Sequence, residues 1–252
     1  MNAQLDEWGV VAERFGVDLE QVRRDHLISH VLAAIARDLS TDDVVFFGGT
    51  ALSRTHLADA RLSEDVDLLA VAPRKDVAAR IEDAVRRGLM RSHGRVSWRP
   101  GLTATRGSEP AVLVAPGVAS VQVQLVDGAG YLWPTEVRQI EQRYSDAPEA
   151  ALRTLTAAGF AAAKLGAWID RSASRDLYDL WALAERGLIT PDAVEVFRRC
   201  GPTGRRPPVW AFDRGPTEAT WSRDLGHQTV LTVTAAAALD AVRDAWRSAA
   251  EA

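Results

Sequence analysis

At 252 residues the chain can form one large domain or two modest ones, and 47% apolar with 25% charged residues allows a sizeable core. Its 30 basic and 34 acidic residues leave a net charge of −4, which excludes polyanion binding by bulk charge and confines any such contact to a local patch. A single cysteine, Cys200, excludes an internal disulfide and a thiol-based zinc site; with an acidic N-terminus and no run of about 18 apolar residues, the chain reads as soluble and cytoplasmic, without a membrane partner.

Asp18 to Leu39 repeats apolar residues at helical spacing, with Val22, Leu27, Val31, Leu32 and Ile35 on one side, and is predicted as a helix. The run VVFF, Val44 to Phe47, reads as a buried strand stopped by Gly48 and Gly49, after which TALSRTHLA has helix length and composition. EDVDLLAV, Glu64 to Val71, alternates like a second strand beside the first, and Pro73 opens an amphipathic helix reaching about Leu89. RVSWRPGLTATR, AVLVAP and ASVQVQLVD have strand character between Gly and Pro turns and would complete a mixed sheet. After WPTE the composition changes, and Ala150 to about Leu188 is rich in Ala and Leu at the helical period. Thr190 and Pro191 mark the cap and first position of a further helix, whereas Gly201 to Thr220 is rich enough in Gly and Pro to predict a long surface loop. The expected division is an α/β domain with N-terminal helices over residues 1–133 and a mostly helical domain over 134–252.

On a strand, Asp65 and Asp67 project from one face while Val66 points to the core. Carboxylates so placed can share Mg²⁺, with Mn²⁺ as the alternative, and such ions also take oxygens from a substrate phosphate. An isolated Asp-x-Asp is a weak signal, since most are solvated strand ends. Gly48 and Gly49 add weight, because glycine lets backbone approach a ligand and the following helix begins with open N–H groups that suit phosphate. Thr50 and Ser53 bring hydroxyls to the same helix start.

Gly-Gly-Thr-Ala-Leu followed by Arg61-Leu62-Ser63-Glu64-Asp65-Val66-Asp67-Leu68 resembles the AbiEii/AbiGii-type nucleotidyltransferase toxins, the MenT toxins among them, of the DNA polymerase β-like superfamily. A second motif, Ala161 to Leu183, is similar to their Lys then Arg-Asp-x-x-Asp-Leu pattern. The resemblance implies an NTP-dependent, Mg²⁺-dependent nucleotidyltransferase with a polymerase β-like mixed sheet, whose helical domain completes the active site. It makes Lys164 a catalytic or triphosphate-binding residue and one acid of the second motif essential, Asp179 in preference to Asp176, while Arg175 would meet either carboxylate or phosphate. The implied acceptor is the 3′ end of tRNA, whose modification would block translation, and the implied partner is a cognate antitoxin, AbiEi-like or other. Many polymerase β-like enzymes carry a third carboxylate on a later strand as general base. Here SVQVQLVD offers Gln122 and Gln124 on one face and Asp127 at its end, so either Asp127 serves or no side-chain base is present.

Between Arg74 and Arg106, nine basic residues stand against three acidic ones, a candidate RNA surface or simply a solvated helix face. His26 and His30 lie four apart on the first long helix, but the sequence indicates no third ligand for a metal there, and a role in the core or at a partner contact is the favoured reading. His56 follows the glycine turn with no assigned role, and Trp98, Trp133, Trp168 and Trp181 are expected in the core or between domains rather than stacked on bases. Ser63 is a candidate regulatory phosphorylation site, where added charge would repel nucleotide. The alternatives are nucleotidyl transfer to a protein or small molecule and a catalytically inactive binding module; glycosyl transfer leaves the Lys164 motif unexplained.

Overall fold

The computed structural model describes residues 2–128, 130 and 133–252, with side chains from residue 6 onward. It divides into two units, Met1–Tyr131 with Glu136–Thr154, and Leu132–Thr135 with Leu155–Ala252.

In the first unit α1 (Asn2–Phe15) precedes α2 (Leu19–Asp38), whose cap Asp18 accepts the Gln21 N–H at 2.8 Å. Then follow β1 (Val44–Phe47), α3 (Gly48–Thr55), β2 (Asp65–Ala70), α4 (Arg74–Gly88), β3 (Ser97–Trp98), β4 (Ala111–Ala115), β5 (Ala119–Asp127), β6 (Thr135–Gln139) and β7 (Ala151–Leu155). Among the described residues the sheet has seven strands in the order β3-β4-β5-β2-β1-β7-β6. β1 runs antiparallel to β2, while β2 pairs parallel with β5, Asp65 opposite Gln122 and Asp67 opposite Gln124. Strand alternation splits these residues by face. Val66, Leu68 and Ala70 of β2 and Val123 and Leu125 of β5 are fully buried on the side where α2 and α4 pack, while Asp65 and Asp67 occupy the other side and stay partly exposed. Burial of each large aliphatic residue contributes about 1.5–3 kcal/mol; Leu69 and its partner Val45 are buried on the acid-bearing side as well, so the sheet is packed on both faces and only the Asp65–Asp67 end stays partly open.

The sheet continues past the change of composition. The stretch from Ala150, expected to be helical from its start, opens with β7, which lies parallel to β1 with Thr154 opposite Phe46. Five residues reading ALRTL satisfy either periodicity, and a partner more than a hundred residues away in the chain decides between them.

The second unit is helical: α5 (Ala157–Arg171), α6 (Ser174–Glu185), α7 (Pro191–Cys200), α8 (Glu218–Leu225) and α9 (Ala235–Glu251). Thr156, Thr217 and Thr234 cap α5, α8 and α9 through their hydroxyls. The segment from Gly201, expected to be a surface loop, is pinned midway by a 3₁₀ turn, Val209–Phe212, with Phe212 buried. Its carbonyls accept from Trp168 Nε1 (to Ala211, 2.7 Å) and Arg243 Nη2 (to Phe212, 2.7 Å), and this makes Trp168 the core residue it was expected to be.

Candidate active site

The site begins where β1 ends. Gly48 takes φ +77°, a left-handed conformation that favours glycine, and the register sets Asp67 opposite the preceding Phe47. The turn is therefore driven against the Asp67 side chain, and a Cβ at position 48 would fall on that carboxylate. A methyl group at 49 would lie 2.9 Å from Arg61 Nη2 and 3.1 Å from Ser63 Oγ. Thr50 and Ser53 lie beneath the turn and are buried; the Thr50 hydroxyl donates to the Asp65 carbonyl and the Ser53 hydroxyl to the Thr50 carbonyl at 3.1 Å. Their oxygens tie α3 to β2 and to itself.

At its other end α3 is held by charge. Arg54, fully buried, reaches Asp25 of α2 at 2.8 Å, and Arg143 meets the same carboxylate at 2.9 Å. Burial pushes the Asp25 carboxyl up, yet the two guanidiniums and the Tyr144 hydroxyl outweigh it and hold Asp25 below its ordinary value. His56 caps the C-terminus of α3 and faces Glu136 at 3.5 Å.

Asp65 and Asp67 stand on one face of β2 with Val66 buried between them. Half-buried, hard oxygen donors, with a bare glycine turn beside one of them, suit a divalent cation such as Mg²⁺. Their neighbours on β5 are Gln122 and Gln124; Gln124 Nε2 donates to the Ser108 carbonyl. Asp127 pairs with Ala70 and so projects from the opposite face, away from the acid pair. Of the two alternatives read from the sequence, a strand without a side-chain base is the one the register supports.

The second motif forms its own constellation in the helical unit. Lys164 of α5 meets two carboxylates of α6, Asp179 at 2.6 Å and Asp176 at 3.2 Å, and all three are buried. Arg171, two turns beyond Lys164 on the same face of α5, clasps Asp176 with Nε at 2.7 Å and Nη2 at 2.9 Å. Burial raises the Asp176 carboxyl, but Lys164 and Arg171 together bring it below its ordinary value. Arg175, the arginine expected near these acids, is exposed, and Arg171 makes the contact with Asp176. The seven-residue spacing from Lys164 to Arg171 was the available signal for it. Arg61 is the other residue without an expected role; it lies buried within the Gly-Gly to Asp-x-Asp run itself, close under Gly49.

The basic stretch from Arg74 is narrower than its sequence suggests. Arg74 turns inward to the carbonyls of Leu125 and Thr105, Arg80 pairs with Asp43, and Arg86 and Arg87 pair with Asp83 and Asp38. Lys75, Arg91, Arg95, Arg99 and Arg106 are exposed, as are the ion-paired Arg80, Arg86 and Arg87.

A glycine turn opening a helix, with the Asp67 carboxylate against it and Asp65 on the same face of the adjoining strand of a mixed sheet, suits phosphoryl chemistry on a nucleotide, and the class is that of the nucleotidyltransferases. The family described as nucleotidyl transferase AbiEii toxin, type IV toxin–antitoxin system, matches residues 30–251, and the chain belongs to that family. Among solved structures, MenT4, a nucleotidyltransferase toxin from Mycobacterium tuberculosis H37Rv, shares the fold at 21% identity and a TM-score of 0.65, covering 95% of this chain and 88% of that one. A nucleotidyltransferase-like antigenic protein from Paracoccidioides brasiliensis is 16% identical over 64% of this chain and 77% of that one, with a TM-score of 0.41. No curated protein matches the sequence. The protein is thus a nucleotidyltransferase toxin whose family implies an antitoxin partner, and among the described residues no helix is long and apolar enough to cross a membrane.

Proposed function

We propose that this toxin transfers NMP from an NTP to the 3′ end of tRNA, releasing pyrophosphate and blocking aminoacylation, with Asp65 and Asp67 holding a divalent cation, Mg²⁺ or Mn²⁺. The observation that carries the reading is the mutual fit of Gly48 and Asp67: a left-handed glycine is needed where the carboxylate presses on the turn. Such an ion, when bound, supplies charge stabilisation for the attacking and leaving oxygens. The acceptor hydroxyl oxygen forms a bond to the α-phosphorus, the bridging oxygen leaves with pyrophosphate, and the hydroxyl proton passes to solvent. The backbone N–H groups of Gly48 and Gly49 contact phosphate, while Thr50 and Ser53 hold the turn in shape.

The reading extends to the second motif, in the helical unit from Leu155 to Ala252. Lys164 offsets phosphate charge, and Asp179 is the essential acid of its motif. Asp176, clasped by Arg171, positions Lys164. Arg175, being exposed, is available to phosphate or RNA. Lys75, Arg91, Arg95, Arg99 and Arg106 supply the RNA contact, which makes binding salt-sensitive. An AbiEi-like or other cognate antitoxin restrains the enzyme in the cytoplasm. Phosphorylation of Ser63 would place about −2 charge beside the acid pair and lower activity; Ser63→Glu with undiminished transfer would remove that role.

The test is incubation of the protein with each labelled NTP and total tRNA, followed by sequencing of RNA 3′ ends. Nucleotides added to tRNA by the wild type, and none by Asp65→Ala, support the proposal. Label appearing on protein alone overturns the tRNA acceptor.

A further inference from the structure

We propose that His26, His30 and His93 form a second metal site, separate from the Asp65–Asp67 pair, that takes a divalent transition-metal ion, Zn²⁺ being the best chemical match, through three imidazoles. His26 and His30 are one turn apart on α2, and the turn after α4 brings His93 to them. Ring centroids are separated by 4.7 Å (His26–His30), 5.1 Å (His26–His93) and 4.9 Å (His30–His93), and the ligand-bearing nitrogens lie within 4.8 Å of one another. Tetrahedral zinc with Zn–N bonds of about 2.0–2.1 Å needs nitrogens about 3.4 Å apart, which small rotations about the side-chain bonds reach.

Two observations mark the cluster as built for a ligand. The first is polar satisfaction: His30 and His93 are 5% and 9% exposed; His93 Nε2 is buried without a hydrogen-bond partner, and His30 Nε2, 3.6 Å from Asp146 Oδ2, is buried just beyond hydrogen-bond distance of that carboxylate. A buried ring nitrogen left so is costly, and one cation between the rings satisfies both. The second is the surrounding shell. His93 Nδ1 lies 2.9 Å from Ser92 Oγ, and His26 Nε2 lies 3.0 and 3.1 Å from the Asp146 carboxylate oxygens. A carboxylate or hydroxyl on the far side of a ring fixes its tautomer and turns the other nitrogen toward a metal. With Asp146 holding His26 Nε2–H, the His26 ligand atom is Nδ1, and the His93 ligand atom is Nε2.

The environment is consistent with this chemistry. Burial, reinforced by the neighbouring imidazoles and opposed by Asp146, lowers His93 to about 4 and His30 below its ordinary value. A cavity of about 630 Å³ lined by His30, Ser92 and Asp146, among others, reaches the His30 edge of the cluster. Imidazole selects zinc-like ions over Mg²⁺, so the two sites take different metals. Bound there, the ion would tie α2 to the turn after α4.

The experiment uses untagged full-length protein carrying Asp65→Asn and Asp67→Asn, so that the acid pair adds no binding, stripped with EDTA and titrated with Co²⁺ and with Zn²⁺. The expected result is one Co²⁺ per chain with visible d–d bands, displaced by Zn²⁺, and affinity lowered at least ~100-fold by His93→Ala or His30→Ala. Zinc-edge absorption on the wild-type protein, which does not depend on any variant folding, should show imidazole nitrogens at about 2.0–2.1 Å. An oxygen-only shell, or Co²⁺ uptake no greater than that of a His26→Ala/His30→Ala/His93→Ala variant, would make the cluster a packed aromatic group with Trp8 and Tyr144 and overturn the proposal.

Discussion

Gly48 carries two demands at once, since its backbone is left-handed and its missing side chain makes room for the Asp67 carboxylate. Gly48→Ala must move one of them. Left-handed strain alone costs about 1–2 kcal/mol, and a displacement of about 1 Å at a reacting group can lower the rate about 100-fold. Transfer should therefore fall by about that factor while cooperative melting persists at a lower Tm. Gly49→Ala meets the end of the Arg61 side chain instead, and its loss should be smaller by about tenfold; equal losses for the two variants would show that the close fit to Asp67 is unimportant. Lys164 is the counterpart in the helical unit, the cation shared by Asp176 and Asp179. Lys164→Met leaves a buried carboxylate short of its partner, and breaking such a pair costs about 3–5 kcal/mol. Its Tm should drop as well as its activity, which distinguishes it from Asp65→Ala, where activity is lost from a half-buried position with little change in melting.

The element that presents the glycine turn, α3, is held in place by a side chain at its far end. Arg54 is enclosed with Asp25, Ser29 and the Glu141 carbonyl, so Arg54→Leu leaves Asp25 with Arg143 and the Tyr144 hydroxyl only and should cost about 3–5 kcal/mol in chemical denaturation. Residual folded protein should show a raised KM for NTP, because the turn loses its anchor; an unchanged KM would mean that β1 and β2 suffice to place it. What could be read in advance follows the range of the signals involved. The cap at Asp18, the Gly-Gly stop and the alternation around Val66 are local, and α2, β1 and β2 lie where the sequence puts them. β6, reading TEVRQ, is a polar edge strand and β7 has five residues, so both depend on a sheet assembled elsewhere. The same holds for side-chain clusters. His26 and His30 announce themselves by helical spacing, but His93 and Asp146 reach them from distant parts of the chain, and Arg171 rather than Arg175 meets Asp176 because helix phase, not proximity in the motif, decides.

For the whole molecule, acid is the condition under which these buried ion pairs should give way. In the folded state Asp176 is ionised below its ordinary value of 3.8, since Lys164 and Arg171 outweigh the burial that pushes it the other way. A carboxyl with a folded pKa lower than its unfolded one binds fewer protons when folded, so stability rises with pH across that interval. Its contribution is complete above about pH 5, begins to fade near the unfolded value of about 3.9, and is lost as the pH falls through the folded value. Other carboxylates add to the acid unfolding of the full chain, so the informative quantity is a difference. Asp176→Asn keeps the shape of the side chain and removes the charge; with Lys164 and Arg171 then facing an amide, the variant should melt below the wild type at pH 7, by an amount equivalent to about 3 kcal/mol. As the pH is lowered from 5 toward 2.5 the wild-type Tm should fall more steeply, and the two melting curves should converge. A Tm gap that stays constant down to pH 2.5 would mean that Asp176 contributes through packing and hydrogen bonds rather than through its charge.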